Sequence, residues 1–111
     1  MAMARTPRMQ PAPPVRIGPY AVDPASRRVE GPRGSVRLTR REFALFRHLV
    51  AHPGQAFTRE QLMTLVWRYL YPGDTSTVTV HMRRLRAKVE LDPAHPRHLV
   101  TVWGAGYRFE P

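Results

Sequence analysis

Cysteine is absent from the sequence, which excludes a disulfide framework and any thiolate site. Acidic residues are scarce, since 8 Asp plus Glu stand against 18 Lys plus Arg. No run of about 18 apolar residues occurs, so no segment predicts a membrane-spanning helix. The N-terminus also lacks the apolar stretch of a secretory signal. These absences are typical of a cytoplasmic protein without a membrane-spanning segment.

Positive charge is what the sequence has in excess. The 111 residues carry a formal net charge of +10, and the isoelectric point is near 11.5. A basic domain predicts a polyanionic partner, for which nucleic acid is the first candidate and an anionic membrane surface the second. With 42% apolar residues, the chain is expected to form a single domain around one modest core.

The first 14 residues differ from the rest of the chain. They read MAMARTPRMQPAPP, with four prolines and no acid, and such a composition predicts a disordered linker or tail. We therefore expect the domain to cover residues 15–111. Between Val15 and Leu38, short alternating apolar runs are separated by Gly-Pro and Asp-Pro turns, a pattern that predicts three or four antiparallel strands.

Two predicted helices follow, and each begins with a capping box. Thr39 with Glu42 starts the first helix, which Pro53-Gly54 ends. Thr58 with Gln61 starts the second. The residues expected to line the core face of the second helix, before YPGD interrupts it, are Leu62, Leu65, Val66 and Tyr69.

A third helix is predicted from Thr75 to about Leu91, with Asp74 or Thr75 as its N-cap and Pro93 closing it. Two strand-like segments come next, at 98–103 and 107–110. Glycines 104 and 106 place a turn between them, so we expect a hairpin. The resulting fold class is α+β: an N-terminal antiparallel sheet, a three-helix core and a C-terminal β-hairpin wing, in winged helix-turn-helix order.

A helical wheel divides the third helix into two faces. The inward side is expected to hold Val78, Met82, Leu85 and Val89. The outward side is expected to hold Ser76, Val80, Arg83 and Ala87, with Arg84 beside them and Thr79 and Arg86 on the flanks. Such a face fits a major groove, where arginine reads guanine edges and a valine methyl contacts thymine. The flanking arginines would reach phosphates.

A solvated surface is the alternative interpretation of any charged helix face. Here the face has nearly one sign of charge, the whole chain is basic, and a hairpin carrying Arg108 follows directly. These features favour DNA binding over simple solvation.

Four motifs then show a family resemblance. They are LTRREFALFRHLVAHPGQAFTREQL, the Val66-Trp67 pair, VTVHMRRLRAKVE and LVTVWGAGYRFE. Together they cover most of the chain after residue 14, and they closely resemble the effector domain of OmpR/PhoB-type response regulators, the transcription factors of two-component systems. The resemblance implies an N-terminal four-stranded sheet, three helices, a hairpin wing and sequence-specific binding of double-stranded DNA.

The resemblance also implies roles for particular residues. The helix 75–91 would be the recognition helix in the major groove, and the wing, about 98–110, would lie on the minor groove or backbone. The DNA-contacting positions would be Trp67, Ser76, Thr79, Val80, Arg83, Arg84, Arg86, Thr101, Trp103 and Arg108. The loop that meets RNA polymerase in several members would be Arg68, Tyr69, Leu70, Tyr71, Pro72, Gly73 and Asp74.

The sequence departs from the family pattern at three of these positions. Many members have arginine at the position of Ser76, aspartate at that of Thr79 and arginine at that of Trp103. Trp103 would pack beneath the wing, stack on a sugar or stay exposed. Members also normally carry an N-terminal receiver domain, which this sequence lacks. We expect either an excised effector domain or a naturally short protein, and the first is favoured.

Other patterns are interpreted as structural. His95 and His98 are expected in a polar loop rather than a zinc site, because no cysteine and only Asp92 are near. His81 is expected to be packed or hydrogen-bonded rather than catalytic. Phe43, Phe46, Trp67 and Tyr69 are expected in the core or at its rim. We predict no enzyme activity, no catalytic or metal site and no cofactor.

Two functions remain open at this point. The first is sequence-specific DNA binding, with two copies on tandem sites as a possible homodimer on DNA. The second is a winged-helix module that docks on RNA polymerase and has only nonspecific affinity for DNA. RNA is a weaker third candidate, because the major groove of an A-form helix does not admit this helix.

Overall fold

The structure is a computed structural model that describes residues 14–68 and 75–111. The predictions of a disordered tail before residue 14 and of a polymerase-contacting loop at 69–74 lie outside the described residues. Among the described ranges, no helix has both the length and the apolarity needed to cross a bilayer.

An antiparallel sheet of four strands opens the domain, in the order β1-β2-β3-β4. The strands are β1 Val15–Ile17, β2 Tyr20–Asp23, β3 Arg28–Gly31 and β4 Gly34–Arg37. Each pairs with its neighbour along the chain, with Val22 opposite Val29 and Val29 opposite Val36. Tyr20, Val22 and Val29 are buried beneath the helices. The prediction of three or four strands is therefore confirmed at four.

The first two helices begin where their capping boxes predict. Helix α1 covers Arg40–Val50, and α2 covers Arg59–Leu62. In α1 the backbone N–H of Thr39 donates to Glu42 Oε1 at 2.9 Å, and that of Glu42 donates to Thr39 Oγ1 at 3.2 Å. The same reciprocal pair joins Thr58 and Gln61. These confirmed starts depend only on residues three apart.

The second helix continues as a π-helical segment, Met63–Trp67, which was not predicted. Leu65 is 49% exposed, so its predicted place on the core face was wrong. Met63 is buried there instead, beside Leu62, Val66 and Trp67, and the burial of Trp67 agrees with its expected place in the core. Thr64 is the only polar residue from 62 to 67, so almost every side of this segment is apolar. Hydrophobic periodicity therefore does not predict which of these residues face the core. Tyr69, the fourth predicted core residue, lies outside the described residues.

Helix α3, Ser76–Val89, and the hairpin β5 Leu99–Val102 and β6 Gly106–Phe109 complete the fold. Thr75 is the N-cap residue, but it makes no side-chain capping bond. Strand β5 is shorter than predicted, so Trp103 belongs to the turn, and β6 begins and ends one residue earlier than predicted. Gly106 has φ of 116°, and a Cβ there would lie 1.9 Å from the carbonyl oxygen of Phe57. A hydrogen-bonded bridge between Phe57 and Tyr107 needs this close approach, which anchors the wing to the segment before α2.

One apolar core joins the sheet, the helices and the wing. Its fully buried side chains include Tyr20, Phe46, Leu49, Met82, Leu85, Leu99 and Phe109. They come from both sheets and from α1 and α3, so the domain is a single packed unit. The predicted α+β winged-helix architecture, with its N-terminal sheet, three helical elements and C-terminal hairpin, is confirmed.

Candidate nucleic-acid interface

Helix α3 turns its apolar side inward as predicted. The buried residues are Val78, Met82, Leu85 and Val89. Ser76, Val80, Arg83, Arg84 and Ala87 are exposed on the outer side. The helix therefore presents small side chains and two guanidinium groups to solvent, the shape and charge that a major groove accepts.

Arg83 and Arg84 are the exposed cations of this face. In the part of the chain that the structure describes, neither forms an ion pair with a carboxylate. Their charge is thus available to an external anion. Val80 is 40% exposed between them and the helix start, and its methyl groups are the main apolar surface of this face.

Arg86 lies differently from the other two arginines. Its Nε donates to the carbonyl oxygen of Leu99 at 2.9 Å, and its Nη2 donates to Thr101 Oγ1 at 2.8 Å. Its guanidinium carbon lies 5.4 Å from the centre of the Tyr107 ring. Burial lowers the pKa of Arg86, against the opposing effects of Tyr107 and Glu90. Arg86 thus bridges helix α3 to both strands of the wing.

Thr79 and Thr101 occupy the border between α3 and its surroundings. Thr79 is half-buried, and its Oγ1 is covered without a hydrogen-bond partner among the described residues. Thr101 is also half-buried, and its hydroxyl accepts from Arg86. Neither hydroxyl points freely into solvent.

The tip of the wing carries an unpacked aromatic side chain. Trp103 is 90% exposed in the turn between β5 and β6, so of its three predicted positions the one beneath the wing was wrong. Arg108 on β6 pairs through Nε with the carboxylate of Glu110. The wing therefore presents an indole at its tip, while part of its positive charge is neutralised internally.

Trp67 lies within the core. It is only 7% exposed, and its ring meets the ring of His81 edge to face at 5.2 Å between centres. The guanidinium carbon of Arg41 lies 6.0 Å from the Trp67 ring centre. His81 Nδ1 donates to the carbonyl oxygen of Thr77 at 2.8 Å, which confirms the prediction of a packed, hydrogen-bonded histidine.

Two carboxylates that hold the interface in place were missed by the sequence analysis. Glu90, just after α3, is 1% exposed and accepts from the backbone N–H groups of three residues. These are Arg97 at 2.9 Å, His98 at 2.9 Å and Leu99 at 2.6 Å. Glu42 accepts from Lys88 Nζ at 2.6 Å, which ties α1 to α3. The partners of Glu90 lie 7–9 residues after it, and Lys88 lies 46 residues after Glu42. Neither contact is predicted by a local sequence pattern.

His95 and His98 make structural contacts. His95 pairs with Asp92 at 3.0 Å, and His98 Nδ1 donates to the carbonyl oxygen of Glu110 at 2.8 Å. No group of three or more potential metal ligands occurs in residues 14–68 and 75–111. The predicted polymerase-contacting loop is represented only by its first residue, Arg68, which is exposed and has φ of 59°.

Comparisons with known proteins place this geometry in context. Residues 33–109 match the family model described as "Transcriptional regulatory protein, C terminal". The C-terminal DNA-binding domain of RstA from Klebsiella pneumoniae is similar to this chain at 30% identity and a TM-score of 0.71, covering 95% of this chain and 96% of that one. The RstA DNA-binding domain in complex with the RstA box is similar at 29% identity and a TM-score of 0.76, covering 87% and 96%.

A longer protein also shares the fold. DrrB from Thermotoga maritima, an OmpR/PhoB homolog and response regulator, is similar at 28% identity with a TM-score of 0.76. The match covers 88% of this chain and 44% of DrrB. The chain thus spans less than half of DrrB and almost the whole of the isolated RstA domain.

Proposed function

Because the chain belongs to the family of transcriptional regulatory protein C-terminal domains, of the OmpR/PhoB response-regulator type, we propose that it binds double-stranded DNA sequence-specifically and regulates transcription. The observation that carries this proposal is the outer face of α3, where Val80, Arg83 and Arg84 are exposed above a buried aliphatic stripe. The RstA domain, which is similar over most of its length, forms a complex with the RstA box.

The proposed contacts fall into three groups. Val80 and Arg83 meet base edges in the major groove, and Arg84 meets a phosphate or a base. Ser76 and Thr79 line the same groove at the start of the helix. On the wing, Trp103 stacks on a sugar at the minor groove, with Thr101 and Arg108 beside the backbone. The burial of Trp67 and the internal bonds of Arg86 favour supporting roles at those two positions.

The wider assembly is also proposed by family likeness. If the chain is an excised fragment, an N-terminal receiver domain is its partner, in line with the 44% of DrrB that the match covers. Two copies occupy tandem sites about one helical turn apart. RNA polymerase contacts the loop 68–74. In the alternative function, polymerase docking is the main role and DNA affinity is nonspecific.

Selection of bound sites from random duplex DNA, followed by titration of the selected site, tests the proposal. Arg83→Ala should lose about 1–3 kcal/mol on the selected site and relax the preference at one base pair. Arg97→Ala is the matched control, since Arg97 is exposed beyond α3 and uses only its backbone N–H in a described contact. If no sequence were enriched, and if Arg83→Ala and Arg97→Ala lowered DNA affinity equally little, the alternative function would be favoured.

A further inference from the structure

A groove on a different face of the domain lies between α1 and the π-helical segment. Its volume is about 480 Å³, and no residue of α3 or of the wing lines it. Its apolar lining, which we call the floor, includes exposed Leu65 and the small side chains of Ala44 and Ala51. The groove is open, and its volume can accommodate apolar side chains from one face of a partner's helix.

Arginine forms the rim of this groove. The four cations are Arg27, Arg40, Arg47 and Arg68, and no acidic residue lines the groove. Among residues 14–68 and 75–111, no carboxylate pairs with any of them. Arg27 is held in place by a bond from its Nε to the carbonyl oxygen of Leu38 at 3.2 Å. Four uncompensated guanidinium groups around one cavity favour an acidic occupant.

The floor of the groove is apolar rather than charged. Leu65 is half-exposed although it belongs to a segment whose other large apolar residues are buried. His48 contributes a wall, and its ring packs edge to face on Phe57 with 4.6 Å between centres. Burial, and then the neighbouring His52, lowers the pKa of His48, so this wall is neutral at pH 7.

From this arrangement we propose that the arginine-rimmed groove is a docking surface for an acidic amphipathic helix of a partner protein. Carboxylates of the partner pair with the rim, and an apolar side chain covers Leu65 between Ala44 and Ala51. A nucleic acid would satisfy the rim but would leave Leu65 in contact with water, because phosphates and sugars offer little apolar surface there. The combination of rim and floor therefore favours a protein partner.

The test uses a synthetic peptide of about 16 residues, long enough to form an isolated helix, with leucine along one face and glutamate on the other. The peptide is titrated into the isotopically labelled full chain, and amide shifts are followed by NMR. A scrambled peptide of the same composition keeps the charge but loses the apolar face. A random duplex DNA forms the third arm.

The expected result is saturable binding of the amphipathic peptide below about 1 mM, with shifts centred on α1 and residues 62–68. The scrambled peptide should bind at least about tenfold more weakly. Leu65→Ser and Arg47→Glu should each weaken binding by a similar factor, while Arg16→Glu, an exposed arginine of β1 outside the groove, should not.

Three outcomes would overturn the proposal. Equal binding of the scrambled peptide would show that charge attraction alone accounts for binding and that the apolar floor plays no part. If duplex DNA displaced the peptide and shifted the same amides in α1 and residues 62–68, the groove would be a phosphate-binding surface. If no amide of α1 or residues 62–68 shifted at about 1 mM peptide, the groove would not be a docking site for such a helix. Leu65 is exposed, so Leu65→Ser should leave the melting temperature and DNA affinity unchanged, which separates a binding defect from misfolding.

Discussion

At the residue scale, three arginines of one helix differ in what they already contact. Arg83 and Arg84 project into solvent without a carboxylate partner among the described residues. Arg86 donates hydrogen bonds from two guanidinium nitrogens to Leu99 and Thr101, and its guanidinium group lies near the Tyr107 ring. The same residue type therefore provides free charge at two positions and a structural bridge at the third.

Substitution of Arg86 separates these roles. Arg86→Ala removes both hydrogen bonds to β5 and should lower the free energy of unfolding by about 1–3 kcal/mol, because the Leu99 carbonyl loses its partner. Arg84→Ala should change that free energy by less than about 0.5 kcal/mol. Urea denaturation measures both values. Unchanged stability of Arg86→Ala, with a loss of DNA affinity alone, would instead assign Arg86 to a phosphate.

The Glu42–Lys88 pair predicts a dependence of stability on pH. Burial raises the pKa of Glu42, but the hydrogen bonds from Lys88 and Thr39 and the charge of Lys88 outweigh it, so the pKa is lowered overall. A carboxyl whose pKa is lower in the folded state stabilises the fold above its unfolded pKa. That stabilisation is lost as the pH falls through the folded pKa.

Lys88→Met should therefore destabilise the domain at neutral pH, and the difference from the parent chain should shrink as Glu42 becomes protonated. Thermal unfolding between about pH 7 and about pH 3 gives this difference. Lys88→Arg keeps a cation and is the control. Lys88 is the only lysine in the chain, so its Nζ resonance also reports the protonation of Glu42 directly. A constant difference at all pH values would contradict the assignment.

At the element scale, two hydrogen bonds from the N-terminal part of the chain hold the C-terminal end of helix α3. The Tyr20 hydroxyl donates to the carbonyl oxygen of Val89 at 3.0 Å, and Arg33 Nη1 donates to that of Ala87 at 2.5 Å. These bonds satisfy carbonyl groups that the end of a helix leaves open. At the other end, Thr75 caps without a side-chain bond. The N-terminal sheet and its β3–β4 turn thus hold the C-terminal end of helix α3.

Removal of the Tyr20 hydroxyl tests this support. Tyr20→Phe leaves the ring in its edge-to-face contact with Phe46 but leaves the Val89 carbonyl without that donor. The free energy of unfolding should fall by about 1–3 kcal/mol in a denaturant titration. Tyr107→Phe is the matched control, because no hydrogen bond of its hydroxyl occurs within the described residues. Equal losses in the two variants would show that the bond to Val89 contributes nothing specific.

The sequence predicts the elements whose signals are local. The capping boxes at Thr39 and Thr58 and the aliphatic stripe of α3 involve residues a few positions apart, and all three are confirmed. Glu90 is buried because the backbone of residues 97–99 folds back onto its carboxylate. Leu65 is exposed because other apolar residues of the segment 62–67 face the core. Both follow from tertiary packing, which periodicity does not encode.

At the scale of the whole molecule, basic side chains cover more than one face. Arg83 and Arg84 lie on the outer side of α3, whereas four other arginines surround the groove beside α1. A net charge of +10 attracts any polyanion over distances of about a Debye length. Attraction alone therefore does not establish which face meets DNA, and the salt dependence of individual variants is needed.

Counterion release makes that distinction measurable. If one copy contacts about five phosphates, log K for the selected duplex should fall with log salt at a slope of about −4 to −5. Arg84→Ala should reduce the magnitude of the slope by about one if Arg84 contacts a phosphate, whereas Arg83→Ala should lower K and leave the slope unchanged if Arg83 reads a base. Arg47→Glu, on the rim of the groove, should alter the slope far less than Arg84→Ala. A slope that responds more to Arg47 than to Arg84 would place DNA on the groove face and contradict the assignment of α3 as the recognition helix.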